Sequence, residues 1–272
     1  MDHYKVSLSG ASETMLGTLY LRAKASRLPN PMLVDRHAET AVDRLDYDFD
    51  RLRVRDWDPN SLAVRAVSID RWVRRRIEAQ PELTVLHLGC GLDTRVFRLD
   101  PPPTVEWYDV DFPEVVALHR KLFPARENHH TIAASVTDPA LLDRIPADRP
   151  VLVVAEGVTM YLAADDGVRL LRRVTEHFPS GEVQFDAFNR LNVALSNRFN
   201  PIVVRSGAQL SWSIDDPREL EGDVPGLEFV EEWSFTDAPE LARYSLPTRA
   251  LLKVIGSFTT TRRLGRLLRY RF

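Results

Sequence analysis

The clearest regularity in the chain starts at residue 83, where short, almost unbroken apolar runs alternate with stretches whose apolar residues recur at helical spacing. The runs predict strands over 83–88, 104–110, 130–134, 150–155 and 182–187. Between them the spacing predicts a helix over 113–123 opened by Pro113, a short helix near 139–144, and a helix from Asp165 to Phe178 whose Asp165-Asp166 pair marks its N-terminus. Strands apolar on both faces and separated by helices require a mostly parallel sheet covered on both sides. Upstream, Met15, Leu16, Leu19, Tyr20 and Ala23 form one stripe of a helix over 11–28, with Ser12 as its candidate cap. A second helix starts near Asp35 and runs through Ala41. A third runs from Ser61 to about Ala79 and carries Val64, Val67, Trp72, Val73 and Ile77 on one face. Beyond Asn189 the pattern is less regular: a segment from Leu191 to Phe199, a strand at 209–213, a strand from Leu227 to Phe235, and a tail over 239–270 that reads as helical and ends in arginines from Arg262 to Arg271.

No repeat or linker divides the chain, so its 272 residues are expected to form one α/β domain. Residues 1–80 would form a helical cap, 81–188 the core, and 189–272 a substrate lid with the C-terminal strands and helices. Composition changes this little: 44% hydrophobic and 28% charged residues describe an ordinary globular chain. A net charge of −3 gives no general attraction to nucleic acid or anionic membrane, and the Arg71, Arg74, Arg75, Arg76 run is most simply a solvated helix face. One cysteine, Cys90, precludes an internal disulfide and fits a reducing compartment; with no signal peptide or apolar span visible, the cytoplasm is the expected location.

The chemistry concentrates where the first core strand ends. Gly89 and Gly91 stand one residue apart directly after the run Val85–Leu88, which allows a sharp turn and close approach of backbone to a ligand. Asp111 closes the next strand, about twenty residues on, and an acid there can accept both hydroxyl protons of a ribose. A dinucleotide fingerprint would need a third glycine where Thr94 stands, so spacing alone does not name the nucleoside. Glu156 follows five apolar residues; a structural ion pair would satisfy it, but the carboxyl end of a strand favours a ligand contact.

Five blocks in order, Leu8–Thr14, Arg65–Asp70, Leu88–Arg95, Tyr108–Val115 and Ala155–Leu162, resemble the leucine carboxyl methyltransferase superfamily, and within it the bacterial TcmP-like (polyketide) O-methyltransferase branch. The resemblance implies a Rossmann-like class I methyltransferase fold that moves a methyl group from S-adenosylmethionine to an oxygen, leaving S-adenosylhomocysteine. It implies that Gly89, Cys90 and Gly91 line the methionine part of the cofactor, that Asp111 holds the ribose, and that Ser135 and Val136 flank adenine. It further implies a cofactor contact at Glu156, a grip on the cofactor carboxylate by Arg65, a second cation at Arg22, and an ammonium acceptor at Asp93. Tyr161 is either a substrate-facing residue or an aromatic plug. The acceptor would be a carboxylate or phenolic oxygen of a small polyketide-like molecule, met by a monomer or homodimer without nucleic acid, membrane or metal.

Two positions depart from the broader pattern. His87 stands where many methyltransferases carry an acid, and is expected to be satisfied by backbone groups. Ser135-Val136 replaces an acidic pair. His129 and His130 lack companion acids at metal spacing, while His119 and His177 read as surface or packing residues. A nicotinamide oxidoreductase, or a non-catalytic protein that binds the cofactor, would use the same sheet.

Overall fold

A computed structural model describes residues 3–6, 11–52 and 58–272. Leu8, Ser9 and Gly10 of the first block of resemblance, and the side chain of the expected cap Ser12, lie outside the described residues. Two short strands, β1 (Tyr4–Lys5) and β2 (Leu45–Asp46), pair in parallel and tether the N-terminus. Between them lie helices α1 (Ala11–Ser26) and α2 (Arg36–Asp43). Asp35 caps α2, its Oδ1 accepting the Ala38 N–H at 2.9 Å. The predicted α1 stripe is buried as expected, with Leu16, Leu19 and Ala23 against Ala38, Ala41 and Val42 of α2. Helix α3 (Asp58–Ala79) completes the cap.

The core follows as β3 (Thr84–Leu88), α4 (Arg95–Leu99), β4 (Glu106–Asp111), α5 (Pro113–Leu122), β5 (His129–Ala133), β6 (Val151–Ala155), α6 (Ala164–His177) and β7 (Gly181–Phe188). The short helix expected near 139–144 is a single 3-10 turn, Leu142–Arg144. These five strands run parallel in the order β5-β4-β3-β6-β7. Alternation explains why they read as continuous apolar runs. Val85 of β3 and Leu152 and Val154 of β6 face Ile69, Val73 and Ile77 of α3, whereas Leu86, Leu88 and Val153 face Leu170, Leu171 and Val174 of α6. Each fully buried aliphatic side chain contributes roughly 1.5–3 kcal/mol relative to exposure, so two covered faces outweigh the slightly weaker pairing of parallel strands. Order reverses between β3 and β6, and at such a switch point the loops beyond the strand ends part to leave a crevice.

Past β7 come α7 (Arg190–Phe199), α8 (Pro201–Ser206), α9 (Glu219–Asp223), β8 (Glu228–Ser234), α10 (Leu246–Ser257), α11 (Thr259–Arg262) and β9 (Gly265–Arg271). Two expectations fail here. Residues 209–213 form no strand; the segment is pinned by single bonds instead of a ladder, Ser211 N–H to Met160 O at 2.7 Å and, just beyond it, Ile214 N–H to Phe188 O at the end of β7 at 2.9 Å. The basic tail is not helical throughout, since β9 lies inside the sheet, antiparallel to both β7 and β8. Its arginines belong in a strand because acids stand across from them: Glu231 is opposite Arg269 and Glu228 opposite Arg271, with ion pairs of 2.8 and 2.7 Å. Cross-strand pairs of opposite charge contribute roughly 0.2–1 kcal/mol each, and Leu267, Leu268 and Tyr270 are buried between the charges.

Gly167 in α6 leaves room for Trp212 of the 209–213 segment, for a Cβ there would sit 2.0 Å from the indole. Gly167→Ala should destabilise the chain by about 1–3 kcal/mol through overpacking, and each of those kcal/mol lowers the melting temperature by roughly 2–4 °C. A calorimetric scan with no shift would show that Trp212 is not seated as described.

Candidate functional site

Beyond the carboxyl ends of β3, β4, β5 and β6 lies a cavity of about 480 Å³, a size typical of small-molecule sites. All eleven residues singled out from the sequence line it: Arg22, Arg65, Gly89, Cys90, Gly91, Asp93, Asp111, Ser135, Val136, Glu156 and Tyr161. They arrive from separate elements: α1 supplies Arg22, α3 Arg65, the loop after β3 the glycines and Asp93, β4 Asp111, the loop after β5 Ser135 and Val136, and the loop after β6 Glu156 and Tyr161.

Both loop glycines adopt left-handed backbone, with φ +59° at Gly89 and +54° at Gly91. A Cβ at Gly89 would fall 2.3 Å from Val158 Cγ2, and one at Gly91 would fall 3.2 Å from Met15 Cβ, so bare backbone forms this wall. Cys90 between them is buried, and burial together with Asp109, Asp111 and Asp93 pushes its thiol well above the ordinary range. It packs as a small neutral side chain and offers no nucleophile. Asp111 is aimed by two backbone donors: Oδ2 accepts the Gly91 N–H and Oδ1 the Phe112 N–H, each at 2.7 Å. Burial nonetheless raises its pKa, the two N–H donors opposing it. Each oxygen keeps lone-pair capacity, so the carboxylate can accept two vicinal hydroxyls.

Behind this wall lies a buried ionic network. The Arg95 side chain is 0% exposed and uses every edge of its guanidinium. Nε donates to Asp70 Oδ1 at 2.7 Å, Nη1 faces His87 Nε2 at 3.2 Å and Asp93 Oδ2 at 3.0 Å, and Nη2 donates to Glu156 Oε2 at 2.5 Å. Arg98 extends it, with Nε donating to Asp70 Oδ2 at 2.6 Å and Nη1 to Asp93 Oδ1 at 2.5 Å. Burial works against Glu156 as an anion, but Arg65 and Arg95 outweigh it and hold its pKa at about 2. Asp93 is likewise kept well below the carboxylate range against burial, by Arg95, Arg98 and Arg22. Arg65 donates from Nε to Glu156 at 2.9 Å and from Nη1 to Asp186 at 3.1 Å, and the side chain is 17% exposed to the cavity. Arg22 is held by Leu92 O at 2.7 Å, while its buried Nε has no hydrogen-bond partner among the described residues.

The rest of the cavity is mostly apolar, with Thr14, Thr18, Thr137 and Asn200 as its polar members. Leu62 of α3, Met160 and Tyr161 of the loop after β6, Phe188 at the end of β7, Val203 of α8 and Leu210 form its apolar wall, and α8 packs on α1. Tyr161 hydrogen-bonds Thr14, and burial raises its phenol pKa, so the hydroxyl is neutral. Ser135 shares a hydrogen bond of 2.8 Å with Thr137.

Glu156 thus makes the ion pair weighed from the sequence and also lines the cavity. The expectation for His87 fails. Side chains satisfy it, Nδ1 facing Asp109 Oδ1 at 2.9 Å and Nε2 facing Arg95, because the strand pairing places Asp109 directly beside it. His129 also has an acid, Asp109 Oδ2 at 2.7 Å, and His119 is buried against the same group rather than on the surface. Sequence reasoning missed Arg95, Asp70 and Asp186. Asp186 lies inside β7, two residues before its carboxyl end, in a strand that also holds Glu182 and Gln184, so it did not stand out; it is buried, accepts the Gly157 N–H at 2.7 Å and anchors Arg65.

The family model for leucine carboxyl methyltransferase matches residues 16–175. The chain is similar to the tetracenomycin polyketide synthesis O-methyltransferase TcmP of Streptomyces glaucescens, 44% identical over 271 residues and covering 98% of each chain. It is 36% identical over 293 residues to the S-adenosyl-L-methionine-dependent methyltransferase dpfgK of Gibberella zeae, covering 100% of this chain and 98% of that one. Among solved structures, a putative methyltransferase from Thermobifida fusca superposes with a TM-score of 0.62 at 17% identity, covering 97% of this chain and 94% of that one.

Removing one partner from a buried ionic cluster costs about 3–5 kcal/mol, so Arg95→Met should lower the melting temperature by on the order of 10 °C. An unchanged melt would show the cluster to be dispensable. Because the folded pKa of Glu156, about 2, lies below its ordinary 4.5, its stabilisation is complete above pH 4.5 and is lost as the pH falls toward 2. Glu156→Gln should therefore be less stable at neutral pH and show a flatter stability profile across that window, read by denaturant titration at each pH.

Proposed function

The chain belongs to the leucine carboxyl methyltransferase family, and on that footing we propose how its residues carry out the reaction and which oxygen receives the methyl group. It is an S-adenosylmethionine-dependent O-methyltransferase with a Rossmann-like fold. The cofactor brings a methyl group on a sulfonium that leaves readily, so the protein has to align, desolvate and hold. In this reading Asp111 takes the ribose hydroxyls, the Gly89-Cys90-Gly91 backbone lies along the methionine part, and Ser135 and Val136 flank adenine. Arg65 and Arg22 address the cofactor carboxylate. The fork of Arg65 is turned by Glu156 and Asp186, and its Nη2 has no hydrogen bond among the described residues. Asp93 offers its remaining lone pairs to the ammonium group.

One observation favours a carboxylate acceptor over a phenol. Among the described residues, every acid and histidine at the cavity is already engaged: Asp93 and Glu156 by arginines, Asp111 by backbone N–H groups, and His87 by Asp109 and Arg95. Tyr161 is a neutral phenol. A phenol acceptor would require a base, and a carboxylate requires none. The apolar part of the cavity suits a flat hydrocarbon skeleton, in keeping with the polyketide acceptor that the name of the Streptomyces glaucescens relative indicates. Tyr161 then faces the acceptor as a hydrogen-bond donor. We read the protein as acting on this small molecule in the cytoplasm as a monomer or homodimer, and the lone buried cysteine is consistent with that compartment.

S-Adenosylhomocysteine at about 100 times its Kd should stabilise the protein by about 2.7 kcal/mol, and Asp111→Ala and Arg65→Ala should abolish most of the rise in melting temperature. No shift at millimolar ligand would refute the cofactor assignments. With radiolabelled S-adenosylmethionine, polycyclic aromatic acids should give methyl esters that release labelled methanol in mild alkali. Alkali-stable label on a phenolic analogue would instead require a base.

A further inference from the structure

On the outer side of the ionic network lies a second hollow, of about 460 Å³, between the α1–α2 turn, α3 and Arg98 of α4. We infer that it binds an organic phosphate, and that its occupancy is felt in the cofactor cavity. Arg74 and Arg75 stand at this hollow, both exposed, and neither has an ion pair or hydrogen bond among the described residues. Two unpaired arginines lining one hollow, though consecutive in α3 and so splayed around the helix, suit a dianion that reaches both, and the guanidinium fork matches phosphate oxygens in pairs. The acids there change this little. Asp70 is neutralised by Arg95 and Arg98, and Glu78 is a single charge on the exposed face of α3. Met32, Leu33, Val34 and Val67 add apolar lining beside these charges, which suits an ester carrying a hydrocarbon group better than a bare ion.

The site has a built element. The Arg98 side chain is 7% exposed and lines the hollow while donating to Asp93, a residue that lines the cofactor cavity. A phosphate drawing on Arg98 competes with Asp70, to which Nε and Nη2 donate at 2.6 and 2.9 Å, and with Asp93, held by Nη1. The Asp93 carboxylate then keeps more of its charge for a ligand ammonium, so phosphate and cofactor should bind each other's complexes more tightly, and reciprocally. This coupling rests on the proposed role of Asp93; the phosphate site itself does not.

The test is calorimetric titration of the full chain with phenyl phosphate, inorganic phosphate and benzoate at constant ionic strength, beside the exposed-surface variant Arg74→Ala/Arg75→Ala. One phenyl phosphate should bind per chain, more tightly than inorganic phosphate, and that more tightly than benzoate. The double variant, melting as wild type, should bind at least about tenfold more weakly, the loss of one charge-assisted contact. No saturable binding at millimolar phenyl phosphate, or equal binding by the variant, overturns the site, and equal binding of benzoate overturns its selectivity for phosphate. Saturating phenyl phosphate should lower the Kd of S-adenosylhomocysteine about fivefold in wild type and leave it unchanged in the variant. An unchanged Kd in wild type overturns the coupling. A chain that binds no S-adenosylhomocysteine counts against the cofactor assignments, while the phosphate titration alone still decides the site.

Discussion

The architecture of the site depends on the placement of a single guanidinium. Arg95 opens α4, has no contact with water, and bonds at once to Asp70 of α3, Asp93 of the glycine loop and Glu156 beyond β6, with His87 of β3 at its remaining edge. Burying such charges gives little net stability over a well-packed apolar cluster. What it gives is a fixed geometry. A planar cation with every edge engaged allows one mutual arrangement of the cap helix, the two strand ends and the loop between them, and the cavity wall inherits that arrangement. The arginines also divide the labour of the acids. Asp93 and Glu156, each beside Arg95, stay ionised despite burial, while Asp111, aimed only by backbone N–H groups, is pushed upward by the same burial.

Much of this was legible along the chain. Core strands could be read because they are covered on both faces, and Asp35, Pro113 and the Asp165-Asp166 pair mark helix starts through local chemistry that acts before tertiary contacts form. Gly89, Gly91, Asp111 and Glu156 could be named from a glycine pair and acids at strand ends, while Arg22, Arg65, Asp93, Ser135 and Val136 came only with the family resemblance. Partners were not legible. That His87 meets Asp109, or that Arg95 reaches Asp70 and Glu156, follows from strand register and helix placement, which no local pattern encodes. The misreading of β9 has the same origin. Gly265–Arg271 has the charge of a solvated helix end, and only the glutamates of β8 across from it make it a strand.

The cavity itself is split by the origin of its walls. The glycine backbone and the acids come from the switch point of the parallel sheet, where the fold leaves room, and α1 and α3 add the cations Arg22 and Arg65. Apolar lining comes from Leu62 of α3, Met160 and Tyr161 after β6, Phe188 at the end of β7, and Val203 and Leu210 beyond it. On such a plan the apolar wall at Leu62, Phe188, Val203 and Leu210 can be altered while the arginine cluster stays put.

The position of β9 carries a consequence for how the protein is made. The open edge of β7 is closed by a strand that leaves the ribosome only after the whole of 189–264 has been synthesised. Until then a nascent five-stranded sheet presents unpaired amides and carbonyls along an apolar flank, a template for joining other chains. The intervening helices are made first and can shelter that flank during translation.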